Sequence, residues 1–534
     1  MKNYKKYNLK ILFYTLILIT AAVLILFAGC SPAEKDKTDN TYNTGDSKNS
    51  DDSESLTATT DTDISEEIIP EEKEKFVEQP VEFPPAEDFD GIKFDENGRL
   101  IPTAYNKVQT FETGKTPSRY IYVSLTGSDS NDGSYENPYG SFTKALSEAT
   151  PGTAVRIMPG TYYQGFYWDR GNLVGTEEEP IWIGGIPGME RPVFDGAMLM
   201  IIKGSYVIIH DMEVKNVEGD TGTGIHVTDG GGDTWPTDTH HFVFRNLYVH
   251  DITYQQFKFS GLSYYWVFDC EIARDVNGGS ASIDGVGIHY GVIAYNYISD
   301  IVGVGIQLKG GSFEADIYSN LFVNAGARGI NIGGSTGDLY FRPALVKDYS
   351  MYEGRYIRVY SNIFIDGGTP AAFVGSTDCY FVNNTVIRPK LFLFRVLNED
   401  GEDNLKLANF GKPHGNTVSN NIFYFGNDLT GETINVGVPR EDLKTFTVQN
   451  NLFYNADRIS ASKPAQIIEF SHEGTITRED PLFRDILNRD FNLSPESPAI
   501  SAEMDIVLPF EINEDYHGDL FKTPRSIGAI QYTE

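Results

Sequence analysis

The chain has 534 residues and a formal charge of −32, from 75 acids against 43 bases. That balance excludes a nucleic-acid binder, which needs a basic footprint over the phosphates. The 52 glycines, 31 tyrosines and 33 phenylalanines, beside only 4 tryptophans, fit many short strands joined by turns and exclude a helical protein.

Residues 1–30 read as a targeting segment, to be set apart from the fold. Lys2, Lys5, Lys6 and Lys10 make a basic start, and residues 11–27 form an uncharged apolar run. Leu26-Phe27-Ala28-Gly29-Cys30 then resembles a bacterial lipobox, which implies that Cys30 carries the lipid as the mature N-terminus. The other reading of the run is an uncleaved transmembrane anchor, since it is nearly long enough to span. Either one tethers the body to the cell membrane, outside the cytoplasm. Residues 31–95 follow as an acidic linker. Residues 31–90 hold 19 acids and 5 bases, which predicts a self-repelling, extended, disordered spacer.

A single domain is expected over 96–534. Tyr120-Ile121-Tyr122-Val123 alternates as a strand. Phe142, Ala145, Leu146 and Ala149 share one face of a short helix, stopped by Pro151-Gly152. Laid across the open end of a sheet stack, this helix hides an unpaired edge. Farther on the chain repeats itself. Arg245-Asn246-Leu247-Tyr248, Tyr295-Asn296-Tyr297-Ile298 and Ser319-Asn320-Leu321-Phe322 share one pattern. So do the segments around Asn362, Asn384, Asn421 and Asn451, and Asp269-Cys270-Glu271-Ile272 puts Cys in the Asn place. Steps of 24, 26 and 24 residues along 246→270→296→320 predict a stacked solenoid, a parallel β-helix. Asn suits it because it tolerates left-handed backbone and its amide can bond to the next copy. Cys270 and Cys379 fall four coils apart, about 19 Å at a strand spacing of about 4.8 Å. A disulfide needs Cα atoms within about 7 Å, so both are expected free and buried.

A second strand aligns by the glycine that ends it, in Lys258-Phe259-Ser260-Gly261, Ser282-Ile283-Asp284-Gly285, Gln307-Leu308-Lys309-Gly310 and Asn331-Ile332-Gly333-Gly334. The apolar middle residue points inward, so its neighbours point outward. That alignment predicts one outward column of His226, Lys258, Ser282, Gln307 and Asn331, and another of Thr228, Ser260, Asp284, Lys309 and Gly333. Insertions at 230–241 and 342–355 rim this face and predict a groove there.

The opening Tyr122-Val123-Ser124, Gly127-Ser128-Asp129, Asp132-Gly133, Asn137-Pro138 and Pro159-Gly160-Thr161-Tyr162 resembles the N-terminal cap of right-handed parallel β-helix proteins of the pectate-lyase-like superfamily. Asp480-Pro481-Leu482-Phe483, Phe491-Asn492-Leu493 and Ser497-Pro498-Ala499 resemble their closing coils. The resemblance implies a right-handed all-β fold, in keeping with the general hand of parallel crossovers. It also implies extracellular carbohydrate-related work. Gly305 to Gly310 is similar to the lysine strand of some β-helix lyases, although no Asp-Asp-x-x-Asp cluster accompanies it.

The leading expectation is therefore a monomeric lyase that cleaves an acidic polysaccharide by β-elimination. That chemistry needs a base for the C5 proton and cations for the carboxylate. Lys309 is the first choice for base and Lys258 the second, with Arg328 or Arg342 neutralising charge. Asp284 with Asp229 and Asp233 could bridge a Ca²⁺. His226, Gln307, Asn331, His289, Trp235 and Arg342 are expected to bind substrate. A hydrolase would instead pair Asp284 with Asp229 or Asp251. A non-catalytic glycan-binding module would use Trp235, Tyr254, Tyr264, Tyr265 and Trp266 as platforms.

Overall fold

Each short apolar strand buries its inner side only by resting on the next coil, and this dependence sets the architecture. The protein is described from a computed structural model, over residues 76–86, 90–171, 173–219, 222–231, 236–276, 280–345, 352–398, 412–430, 432–500, 502 and 508–533. All of these belong to one unit, Glu74–Glu534. Cys30, Asp233 and Trp235 lie outside the described residues.

The chain winds into a right-handed parallel β-helix. One of its faces is a sheet of ten parallel strands stacked in chain order. These are β1 (Phe166–Trp168), β2 (Leu199–Ile202), β3 (Thr223–Thr228), β4 (Gln255–Ser260) and β5 (Ala281–Val286). They continue as β6 (Val304–Lys309), β7 (Arg328–Gly333), β8 (Ala371–Val374), β9 (Phe394–Leu397) and β10 (Ile434–Gly437). Inward residues such as Phe257, Phe259, Ile283, Ile306, Leu308, Ile330 and Ile332 are fully buried in one continuous core.

Two further faces meet at a sharp corner. The strands Ser205–Lys215 and His240–Ile252 cross it in one piece, bending at Asp211 and Asn246. Those two residues, with Asp269, Tyr295, Ser319, Ser361, Asn383, Asn420 and Asn450, hold φ between 50° and 56°. The next residue in each later coil is a buried Asn. The Oδ1 of Asn296, Asn320, Asn362, Asn384, Asn421 and Asn451 each accepts the backbone N–H one coil earlier, at 2.8–3.0 Å. Asn246 does not belong to this ladder. Tyr248 pairs with Glu271, and Glu271 with Tyr297, so Leu247 holds the ladder place and Asn246 is the bend residue before it. Cys270 ends the ladder as expected for its register. Both Cys270 and Cys379 are free and buried.

The helix α1 (Phe142–Ser147) buries Phe142, Ala145 and Leu146, and the Ser141 hydroxyl caps it by accepting from Lys144 N. Phe76 stacks on Tyr135 with centroids 3.8 Å apart, and both carboxylate oxygens of Glu78 accept from Arg156. Residues expected to end the spacer thus pack on the solenoid, because Arg156 there needs a counter-charge.

Candidate functional site

On the open sheet the outward column is fixed by strand pairing. His226 pairs with Lys258, Lys258 with Asp284, Asp284 with Gln307, and Gln307 with Asn331. Asp284 therefore stands beside Lys258, where the glycine alignment put Ser282. Val286, not Asp284, lies beside Lys309 in the second column. The cause is Gly285. It faces the core between Phe259 and Leu308, and a Cβ there would lie 2.3 Å from Ile288 Cδ1. The corner glycine of this coil is Gly287, at φ 59° beside Gly261 at 64° and Gly310 at 65°.

Lys258 Nζ is in direct contact with Asp284 Oδ2, and Gln255 Nε2 donates to the same oxygen at 3.1 Å. Thr223 Oγ1 orients Gln255 by donating to its Oε1 at 3.1 Å. Lys309 Nζ lies 3.8 Å from Asp284 Oδ1, an oxygen that is buried and accepts no hydrogen bond among the described residues. Both lysine side chains are about one-fifth exposed, while Asp284 is 5% exposed. Two cations around one anion leave the cluster with a net positive charge facing solvent. One rung away, burial pushes the His226 imidazole down to about 4, and Lys258 adds to the effect. The ring is neutral above that pH.

These side chains line a groove of about 530 Å³ with Met198, Met200, Tyr254, Ser260, Ser335, Gly337 and Tyr340. Asp284 is the one carboxylate in that lining among the described residues. The wall at Ser335–Tyr340 is pinned by buried Glu353, which accepts from Thr336 N and Oγ1 and from Gly310 N. Desolvation pushes the Glu353 carboxyl up to about 7. Beyond the groove the column continues as a hydrogen-bonded run. Asn331 Nδ2 donates to Gln307 Oε1 at 3.2 Å, and Arg328 Nη1 donates to Asn331 Oδ1 at 3.0 Å.

Three expected site residues serve the scaffold instead. Arg342 clamps Asp229 through Nε–Oδ2 at 2.7 Å and Nη2–Oδ1 at 2.9 Å, with both side chains buried. It reaches Asp229 past Gly261, where a Cβ would collide with both partners. His289 is fully buried, with its Nε2 2.9 Å from the Arg342 carbonyl. Arg342 and His289 are thus withdrawn from substrate, and Asp229 from metal. Among the described residues no three His, Cys, Asp or Glu side chains assemble as a metal-binding group. With Asp229 clamped and Asp284 held by two lysines, the described residues do not fit a calcium ion here. The hydrolase pairing fares no better, because Asp251 is held by Arg274 and His250. Of the other aromatic platforms, Tyr265 is core, Trp266 packs edge-on against Phe111 and Tyr264 stacks between His241 and Tyr290, which leaves Tyr254 in the groove. Thr223, Gln255, Met198, Met200 and Glu353 carried no motif that sequence reasoning could have used.

Residues 121–302 match a family model described as Pel9A-like, right handed beta helix region. An uncharacterised protein of Bacillus subtilis (strain 168), YwoF, is 24% identical over 487 residues, 75% of this chain and 96% of that protein. Pectate lyase L of Dickeya chrysanthemi is 35% identical over 88 residues, 16% of this chain and 20% of that enzyme. Among solved structures, pectate lyase Pel9A aligns with 79% of this chain and 98% of its own, at 15% identity and a TM-score of 0.44.

Proposed function

We propose that the protein cleaves an acidic, uronic-acid-containing polysaccharide by β-elimination, as a monomer tethered outside the cytoplasm through a lipid on Cys30. The observation that carries this reading is the Lys258–Asp284–Lys309 cluster in the groove, with its surplus positive charge. A uronate carboxylate neutralises that surplus, and the partly desolvated setting strengthens the attraction. Lys258, held by Asp284, keeps its cation at the carboxylate and stabilises charge that develops there as the C5 proton leaves. Lys309, more loosely placed at 3.8 Å from Asp284, takes that proton as a neutral amine. The C5 electron pair forms the C4–C5 double bond as the C4–O bond breaks, and the leaving oxygen takes a proton from water or from the ammonium so formed. His226, neutral by burial, accepts or donates to a sugar hydroxyl. Gln307, Asn331 and Arg328 extend the polar track beyond the reacting sugar.

The matched family model and the short match to pectate lyase L support the same chemistry. A single carboxylate among the described residues of the groove favours elimination over a two-carboxylate hydrolysis. The test is to incubate the full chain with pectate, alginate, chondroitin, heparin and hyaluronan, with calcium or with chelator. Ultraviolet absorbance from an unsaturated uronide is expected with at least one of them, and Lys309→Ala should remove it. New reducing ends without that absorbance would sink the lyase reading in favour of hydrolysis.

A further inference from the structure

The groove has a second character at its other end. Tyr167 pairs with Met200, and Met200 with His226, so Tyr167 and Met200 belong to the outward column that elsewhere reads His226, Lys258, Asp284, Gln307, Asn331. β2 is Leu-Met-Ile-Ile and alternates buried and half-buried. Its inward side is spent on the core, and its outward Met200 and Ile202 are apolar as well. Met198 sits at the core's edge and also lines the groove. Tyr254, directly before β4, lines it too and is 38% exposed, while Tyr167, one rung before Met200, is 57% exposed. Outward strand positions over solvent are ordinarily polar, so an apolar stretch continuous with a charged pocket needs an occupant. Methionine suits one with an irregular apolar outline, being unbranched and polarizable.

The two halves are close. Met200 is two rungs from Lys258, about 10 Å at the parallel-strand spacing, so adjoining sugars of one chain reach both. We propose that the Met198–Met200–Tyr254 end is a subsite for a sugar bearing an apolar substituent, a methyl ester or a ring methyl, held beside the sugar whose carboxylate lies at Lys258 and Lys309. This rests on the acidic-glycan reading above and narrows it. The substrate is a chain in which a free uronate neighbours a methylated, esterified or 6-deoxy unit, and uniformly charged chains are the poorer ligands. A bare carboxylate at Met200 would lose water without gaining a partner, which supplies the discrimination.

The test measures dissociation constants of the full chain for polygalacturonate of matched length, partly methyl-esterified and fully de-esterified. A third probe is a polymer alternating 6-deoxyhexose with uronate. Tighter binding of the esterified or 6-deoxy probe is expected, by about fourfold for each methyl buried. Whichever of the two shows the gain identifies the substituent. The double substitution Met198→Ser and Met200→Ser should erase the gain, weakening the esterified or 6-deoxy probe without weakening the de-esterified one, while Met200→Leu keeps it. Thermal melts confirm that each variant is folded. Equal affinity for all three probes, or a gain that survives the double substitution, overturns the subsite. Binding to none of them overturns the acidic-glycan reading itself, and the subsite with it.

Discussion

Two clusters of charge sit on different faces of the same solenoid, and they are built in opposite ways. Under the N-terminal segment, Arg245 donates to both oxygens of Glu112 and lies 3.2 Å from Asp211. Glu112 also accepts from Trp182 Nε1, and Arg156 bridges Glu78 and His210. The donors named there all meet acceptors, and the side chains of Arg156, Glu78, Arg245 and Glu112 are each less than one-tenth exposed. On the open sheet, Lys258, Asp284 and Lys309 face a groove, with one more cation than anion and a buried oxygen left over. A buried network with its hydrogen bonds saturated holds structure in place; one that faces a groove with a surplus cation is poised for a ligand. Charged residues alone do not separate these cases, whereas cover and saturation do.

The sharpest way to break that contrast is to truncate each cluster and read both activity and stability. Lys309→Ala should lower turnover by about 10²- to 10⁴-fold, the usual worth of a general base, and leave the unfolding midpoint close to wild type. Arg245→Ala should do the reverse. Stranding Glu112 and Asp211 without their cation should cost about 3–5 kcal/mol in urea titrations, with activity per folded molecule retained. If Lys309→Ala unfolds the protein and Arg245→Ala silences it, the two roles have been exchanged.

Acid sharpens the comparison next. His210 accepts from Arg156 at Nε2 and lies 2.6 Å from Asp211 through Nδ1, which fixes a neutral ring. Burial, with Arg245 beside it, pushes that ring down to about 4. The unfolded chain takes up a proton near 6.5 that the folded chain refuses. Stability from this group is therefore complete above about 6.5 and drains away as pH falls through about 4. His210→Gln should flatten that part of a melting-temperature profile, and an unchanged slope would remove His210 from the account. The smallest effect belongs to the exposed pair of Arg388 and Asp457, bonded at 2.9 Å. Asp457→Asn should change stability by no more than about 1 kcal/mol; a larger loss would show that openness to solvent does not by itself mark a dispensable pair.

The fold was legible because its signals are local and repeated. Asn296 to Asn451 mark the coil corner by side-chain chemistry, and the apolar strand beside them needs no long-range information. The outward lysines were legible for the same reason, by period two from Phe259 and Leu308. What failed was register across an irregular coil. Gly285 looks like the corner glycines of its neighbours, but it is a packing glycine that makes room for Ile288, and the two-residue error moved Asp284 into the wrong column. Burial misled in the other direction. Arg342, Asp229 and His289 carry the chemistry of a site, yet they bond to one another's side chain or backbone beneath it. Met200 was missed because an apolar residue in a strand reads as core until the strand's outer side is seen to be open.

The asparagine ladder carries one more consequence. Its successive rungs are separated by 24, 42, 22, 37 and 30 residues, yet the bond between them keeps the same length. Coil length is therefore a free variable, with the corner acting as a clasp that re-fastens after any excursion. Whole loops can be lengthened, exchanged or grafted on the far side of a coil without disturbing the stack. A lineage that keeps the clasp can rewrite the walls of its groove, and with them what the groove holds, one insertion at a time.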